Sequence, residues 1–139
     1  MHPKMKFETL AEKYIAATEI ENREQANITI KDLVKEGACN MPRNKEADLE
    51  WFKHALKDRK IRWFAIQVLE KVNPLPLVLF DDLVKEALLE QNASANRRFI
   101  EPCIKTFGIE KVKEKISEFS CLPGVNENDG VNKVMYWVR

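Results

Sequence analysis

Three stretches of this sequence repeat one apolar pattern at a constant offset of 35 residues (96 − 61 and 131 − 96). Within each stretch the positions follow the i, i+3, i+4, i+7 spacing that places side chains on one face of an α-helix. Asn96 is the one polar residue in the set. The occupants are Ile61, Phe64, Ala65 and Val68, then Asn96, Phe99, Ile100 and Cys103, then Val131, Val134, Met135 and Val138.

The helices that precede these stretches are also partly in step, because Leu49, Val84 and Phe119 share a phase. Two helices per 35 residues, recurring three times, are typical of a helical solenoid, in which each pair covers the apolar face of its neighbour. A helical bundle with regular loops would give the same spacing by chance, and this alternative stays open. In either case the pattern predicts an all-α fold.

Apolar spacing predicts eight helices in one domain of residues 1–139. Residues 1–40 would form an N-terminal helix pair or cap, and residues 45–139 three further pairs. Thr29 and Asp32 form a capping-box pattern, which predicts the start of the second helix. The predicted segments cover about residues 6–21, 30–36, 45–57, 59–72, 77–91, 92–107, 109–119 and 128–139.

The segment of residues 58–69 resembles the second helix of a HEAT repeat. That family has a loop Asp, then a β-branched residue followed by Arg, with Ala three and Leu seven positions after the Arg. The matching residues here are Ile61, Arg62, Ala65 and Leu69. The resemblance implies a right-handed α-solenoid of antiparallel helix pairs, in which such an arginine forms structural ladders with loop acids.

The resemblance extends over about residues 45–139 and weakens along the chain. In the second unit Arg97 keeps the arginine phase, whereas Asn96 stands where a β-branched residue is usual. In the third unit Val131 keeps the β-branched phase and Asn132 replaces the arginine. These positions encode helix stacking rather than chemistry, so they imply a scaffold and no particular activity.

Composition favours a globular protein of the cytoplasm. The chain has 23 basic and 22 acidic residues, which argues against a general nucleic-acid coat or a polybasic membrane binder. No apolar run approaches the roughly 20 residues of a membrane span, and the N-terminus does not look like a signal peptide. The three cysteines, Cys39, Cys103 and Cys121, fit neither a zinc site nor a CxxC pair, and we expect free thiols.

The sequence shows no catalytic, cofactor-binding or metal-binding motif. It has no Gly-rich phosphate loop, no GxSxG, no HExxH and no Cys–His pairing at a familiar spacing. Of its two histidines, His54 lies on the polar face of the third predicted helix. We therefore expect a protein that binds others rather than an enzyme, with no cofactor and no metal.

A basic strip with aromatic residues is the predicted binding surface. Its members lie near the starts of the second helices, so a solenoid would align them along one surface. An acidic protein partner or a nucleic-acid backbone would suit such a strip. The candidate residues are Arg59, Arg62, Trp63, Arg97, Arg98, Lys133 and Trp137.

Two functions follow as hypotheses. The first is a protein–protein interaction module, of which small bacterial immunity or adaptor proteins with HEAT-like folds are one kind. The second is a nucleic-acid-binding protein resembling the HEAT-like alkylpurine DNA glycosylases. Tryptophans would serve as anchors for a partner or as bridges between helices in the core, and the segment of residues 136–139 is expected to expose apolar surface unless it is covered.

Overall fold

The computed structural model describes residues 3–41 and 46–138, and these residues form helices and turns with no strand. The prediction of an all-α fold with about eight helices is confirmed. No helix in the described part is both long and apolar enough to cross a lipid bilayer. The α-helices are α1 (Pro3–Thr18), α2 (Arg23–Cys39), α3 (Glu46–Ala55), α4 (Arg62–Glu70), α5 (Phe80–Leu89), α6 (Arg97–Phe107), α7 (Ile109–Phe119) and α8 (Gly130–Met135). A 3-10 turn, Leu77–Leu79, precedes α5.

The chain divides into two compact units, Met1–Val72 and Asn73–Arg139. In the first unit α1 packs against α2 and α3, α2 against α4, and α3 against α4. Trp51 belongs to this core, since it is 6% exposed and its ring stacks on Phe7 with 5.4 Å between centroids. Phe7 also meets the ring of Phe52 edge-on, with 4.8 Å between centroids. Because Phe7 lies on α1 and Trp51 on α3, the stacked contact shows that Trp51 bridges helices of the core.

Helix α2 starts seven residues earlier than the capping-box pattern predicts. Asn22 is the N-cap, and its side chain accepts a hydrogen bond from the Gln25 amide at 3.0 Å. Thr29 lies inside the helix, where its hydroxyl donates to the carbonyl of Gln25 at 2.9 Å. The prediction was wrong because a threonine can bond back within a helix as readily as it can cap one, and an earlier, stronger cap was available.

Helix α4 begins at Arg62, three residues after the predicted start. Asp58 does not cap it directly; its side chain accepts from the Lys60 amide at 2.8 Å and closes a turn instead. The carbonyl of Asp58 then accepts from the Arg62 amide at 2.8 Å. Residues 59 and 60 belong to this turn. Arg59 therefore precedes the helix, and it is exposed.

In the second unit α5 is the central helix and packs against α6, α7 and α8. The contact of α5 with α8 depends on Gly130, which is buried. A Cβ atom added there would lie 2.0 Å from the carbonyl oxygen of Leu88, so only glycine permits this approach. Helix α8 therefore lies directly on the C-terminal turn of α5.

The repeated apolar pattern corresponds closely to burial. Nine of its twelve positions are buried, and the remaining three are half-buried: Ile61, Val131 and Met135. The three positions that share a phase in the preceding helices, Leu49, Val84 and Phe119, are buried as well. The pattern thus marks the inward faces of the helices within each unit.

Candidate functional site

A surface groove of about 460 Å³ lies in the second unit between α8 and the turn that precedes α6. Seven residues line it, and most of their surface in the groove is apolar. The lining residues are Ala93, Ser94, Asp129, Asn132, Lys133, Tyr136 and Trp137. Two of these, Lys133 and Trp137, belong to the predicted basic strip.

The floor of the groove is one face of α8 and its flanking residues. Asp129, Asn132, Lys133, Tyr136 and Trp137 follow the i, i+3, i+4, i+7, i+8 spacing of a helical stripe. The stripe starts at Asp129, the N-cap of α8, and ends at the turn after Met135. Helix α8 separates the acidic residue at its start from the two aromatic residues that follow its end.

Asp129 supplies the acidic end in a constrained conformation. Its backbone is left-handed, with φ 55° and ψ 36°, a region that Asp and Asn tolerate better than most residues. One carboxylate oxygen accepts a hydrogen bond from the Asn132 side-chain amide at 2.9 Å. The residue is exposed, and a carboxylate has acceptor capacity beyond that one bond.

Tyr136 and Trp137 supply the aromatic end and meet at a right angle. Their ring centroids are 4.7 Å apart with an interplanar angle of 86°. Tyr136 is 58% exposed, which makes it one of the large apolar side chains most open to solvent in the second unit. The Arg97 guanidinium lies over the Trp137 ring, 4.9 Å from its centroid, and forms an ion pair with Glu101.

Asn96 helps to hold the Trp137 ring in place from the side of the core. The indole Nε1–H donates to the Asn96 side-chain oxygen and to the Ala93 carbonyl, each at 3.0 Å. Asn96 is fully buried, and it is the polar residue that broke the apolar repeat. A polar residue at this buried position thus supplies one of the two acceptors for a tryptophan that lies 41 residues later in the chain.

Lys133 faces inward to the end of α5. Its ammonium donates to the Gln91 carbonyl and to the Asn128 side-chain oxygen, each at 3.1 Å. The Asn128 amide in turn donates to the carbonyls of Leu88 and Glu90 at 3.0 and 2.9 Å. Together these two side chains satisfy carbonyls that the end of α5 leaves open. Two of the three N–H donors of Lys133 are therefore bonded within the fold.

The other predicted site residues are divided between the two units. In the first unit Arg59 is exposed, and the Arg62 guanidinium lies over the ring of Trp63 at 5.1 Å, both side chains being half-buried. In the second unit Arg97 joins the groove through Trp137, and Arg98 is half-buried on α6. Continuity of the basic strip across the two units stays a prediction. Arg139 lies outside the described residues.

Comparison with known proteins gives no family for this chain. No family model matches it, and no curated protein or solved structure matches it significantly. Within the described residues no group of three or more His, Cys, Asp or Glu side chains is arranged to hold a metal ion.

The sequence pattern did not indicate Ser94, Asp129 or Asn132 as parts of a site. One signal was present, since Asp129-Gly130 is a dipeptide that favours a turn, followed by polar and aromatic residues at helical spacing. The role of Asn96 could also be anticipated, because a polar residue in a buried phase predicts a donor opposite it. The identity of that donor, 41 residues away, required the tertiary structure.

Proposed function

We propose that this protein is an interaction module that binds a protein partner in the groove on α8. The exposed Tyr136 ring beside the anchored Trp137 ring carries the proposal. Tyrosine and tryptophan are enriched among the few residues that dominate binding energy in protein interfaces. Because Trp137 is fixed by two hydrogen bonds and a cation–π contact, little conformational freedom remains to be lost on binding.

We propose further that the helix pairs stack as HEAT-like repeats. The first unit supports this arrangement, since α1 with α2 and α3 with α4 are pairs, and α1 meets α3 while α2 meets α4. The second unit is less regular, because its last helix, α8, packs mainly on α5. A terminal repeat that departs from the rest is common in such arrays.

Nucleic acid is the second candidate ligand, through Arg59, Arg62 and Arg98 together with Arg97 and Lys133. It has less support, because Arg97 is paired with Glu101 and Lys133 is bonded to acceptors within the fold. A salt titration against duplex DNA separates the two functions. For each phosphate that the protein neutralises, the logarithm of the DNA-binding constant should fall by about 0.9 per unit increase in the logarithm of the salt concentration. Weak binding that does not change with salt concentration would exclude nucleic acid as the ligand.

Site-specific photocrosslinking tests the protein-binding function. Tyr136 is replaced by p-benzoylphenylalanine in the full chain, and Leu77, which is 71% exposed in the same unit, is replaced in a control. Irradiation in source-cell lysate should give a discrete adduct from position 136 that position 77 does not give. Mass spectrometry then identifies the crosslinked protein.

Titration with the purified partner completes the test. Tyr136→Ala should weaken binding by at least about tenfold, as expected for a central aromatic contact. Leu77→Ala should leave the affinity unchanged. The same adducts from both positions, or a partner whose affinity is indifferent to Tyr136, would exclude the groove as the binding surface.

A further inference from the structure

We infer that the α8 segment, residues 128–138, docks on the helices α5–α7 and undocks from them as a whole, and that the groove exists only while this segment is docked. One local transition thereby opens and closes the binding surface. What the transition means for a partner rests on the proposed function, whereas the transition itself is a property of the chain alone.

The two walls of the groove come from distant parts of the chain. Ala93 and Ser94 form one wall, and the other five of the seven lining residues belong to the α8 segment. Side chains of this segment join the walls, because Trp137 donates to the Ala93 carbonyl and Lys133 to the Gln91 carbonyl. When the α8 segment leaves, the groove therefore loses most of its lining.

Helix α8 is too short to persist away from the rest of the unit. It has six residues, Gly130–Met135, and isolated helices shorter than about 12 residues are marginal in water even when they are rich in alanine. Its glycine, its asparagine and its two valines have lower helix propensity than alanine. The helix thus depends on its packing against α5 and on the burial of Val134. Folding of the α8 segment and its docking are consequently one event.

The helices α5, α6 and α7 keep a core of their own without α8, since each of the three packs against the other two. At the start of α5 the Phe80 ring stacks on Phe107, with 4.2 Å between centroids, and Asp81 forms an ion pair with Lys115 of α7 at 2.8 Å. Helix α8 contacts the opposite end of α5, at Leu88. Undocking leaves the first set of contacts intact, so it requires less free energy than unfolding of the second unit.

Water can replace much of the polar contact between the α8 segment and the turn before α6. Gln91 and Ala93, whose carbonyls accept from Lys133 and Trp137, are exposed residues. Hydrogen bonds that exchange for bonds to water contribute only modestly to stability. These bonds therefore fix where the segment docks more than they prevent it from leaving.

A partner that touches both walls of the groove binds the docked state alone. Its apparent affinity is then reduced in proportion to the fraction of molecules that are docked. In return, a bound partner holds the α8 segment in place and slows its opening. The stability of the docked segment thus sets how readily the groove accepts a partner.

Native-state hydrogen exchange of the ¹⁵N-labelled full chain measures the transition without a partner. The reporters in the α8 segment are the backbone amides of Gly130, Lys133 and Trp137, all of which donate hydrogen bonds. The reporters of the helices α5–α7 are the amides of Val84 and Ile116, two buried residues. We expect the first three to share one protection factor within about threefold, at least about tenfold below that of the other two. Urea should lower this shared factor less steeply, because undocking exposes less surface than unfolding does.

Two variants separate a local opening from unfolding of the whole unit. Val112→Ala, at a buried position near the start of α7, removes contacts that the docked and undocked states share. It should lower the protection of Val84 and Ile116 at least about fivefold and leave that of the α8 segment unchanged. Trp137→Phe removes two hydrogen bonds that only the docked state makes. It should lower the protection of both groups by the same factor, about fivefold.

Two outcomes would overturn the inference: protection of the α8 segment equal to that of Val84 and Ile116, or a loss in the α8 segment on Val112→Ala as large as theirs. If Trp137→Phe undocks the segment outright, its amides lose protection while Val84 stays protected, which supports the inference. Photocrosslinking at position 136 tests the proposed function separately. A local opening without any adduct from that position would reject the partner and leave the opening itself established.

Discussion

The Asn96 side chain accepts a hydrogen bond from the indole of Trp137 at 3.0 Å and thereby joins the start of α6 to the end of the chain. The direction of this bond fixes the orientation of the amide, because the indole nitrogen only donates. The oxygen of Asn96 must face Trp137, and its nitrogen faces the core. Among the described residues that buried nitrogen has no hydrogen-bond partner.

Asn96→Leu is expected to change the free energy of unfolding by less than about 1 kcal/mol, since it removes a buried donor whose desolvation is uncompensated. Trp137 keeps the Ala93 carbonyl as an acceptor at 3.0 Å. Asn96→Asp should cost at least about 2 kcal/mol at pH 7, because it buries a charge. Urea denaturation measures both, and the cost of the aspartate variant should fall when the pH is lowered to about 4, where the carboxyl protonates more readily. Equal losses in the two variants would contradict this account.

Gly130→Ala should lower the free energy of unfolding by about 2 kcal/mol or more. The new Cβ would meet the Leu88 carbonyl oxygen at 2.0 Å, and a backbone atom cannot move aside as a side chain can. Gly37→Ala is the matched comparison, because its Cβ would meet a Val68 methyl group at 2.9 Å and its helix would gain alanine's propensity. Thermal denaturation should show the larger loss for Gly130→Ala, and the reverse order would be inconsistent with this packing of α8 on α5.

Lys133→Met tests whether this lysine stabilises the end of α5. The variant keeps the apolar stem but loses the bonds to the Gln91 carbonyl and the Asn128 oxygen. We expect a loss of about 1 kcal/mol, reduced from the value for a buried charged hydrogen bond because the site is half-exposed. Lys113→Met, at an exposed position of α7, should lie within about 0.5 kcal/mol of the wild type. A loss no larger at 133 than at 113 would count against the structural role.

Thiol labelling should distinguish Cys103 from the other two cysteines. Cys103 is fully buried and its thiol donates to the Phe99 carbonyl at 3.5 Å, while Cys39 and Cys121 are exposed. Burial raises the pKa of the Cys103 thiol well above its ordinary value, so it stays protonated and unreactive when the pH is raised from 7 to 9. Mass spectrometry after iodoacetamide treatment should show two modified cysteines in the folded protein and three in denaturant. Modification of Cys103 without denaturant would contradict its burial.

Local signals predicted some elements closely. Helix α7 covers the predicted residues 109–119, because Gly108 takes a positive φ of 91° that no other residue adopts easily and so fixes its start. Helix α2 shows the opposite case. Asn22, Thr29 and Asp32 all have the chemistry of a cap, and the choice among them depends on how much of the chain packs onto the rest of the unit.

The candidate site was predictable only in its parts. Trp137 and Lys133 were identified from the spacing of 35 residues, but their roles depend on partners far away along the chain. Lys133 bonds to a carbonyl 42 residues earlier, and Trp137 to one 44 residues earlier. No local sequence pattern encodes such contacts. The sequence therefore does not distinguish a lysine that donates to backbone carbonyls from a lysine that binds a ligand.

The sequence by itself determined the helical class and the inward faces of the helices. Both follow from periodicity, which acts between residues three and four apart and is written directly in the order of amino acids. Tertiary structure alone decided which charges remain available, because burial and hydrogen bonding depend on distant segments that meet only after folding. It assigned Lys133 to the end of α5 and placed Asp129 and two aromatic rings in the lining of one groove.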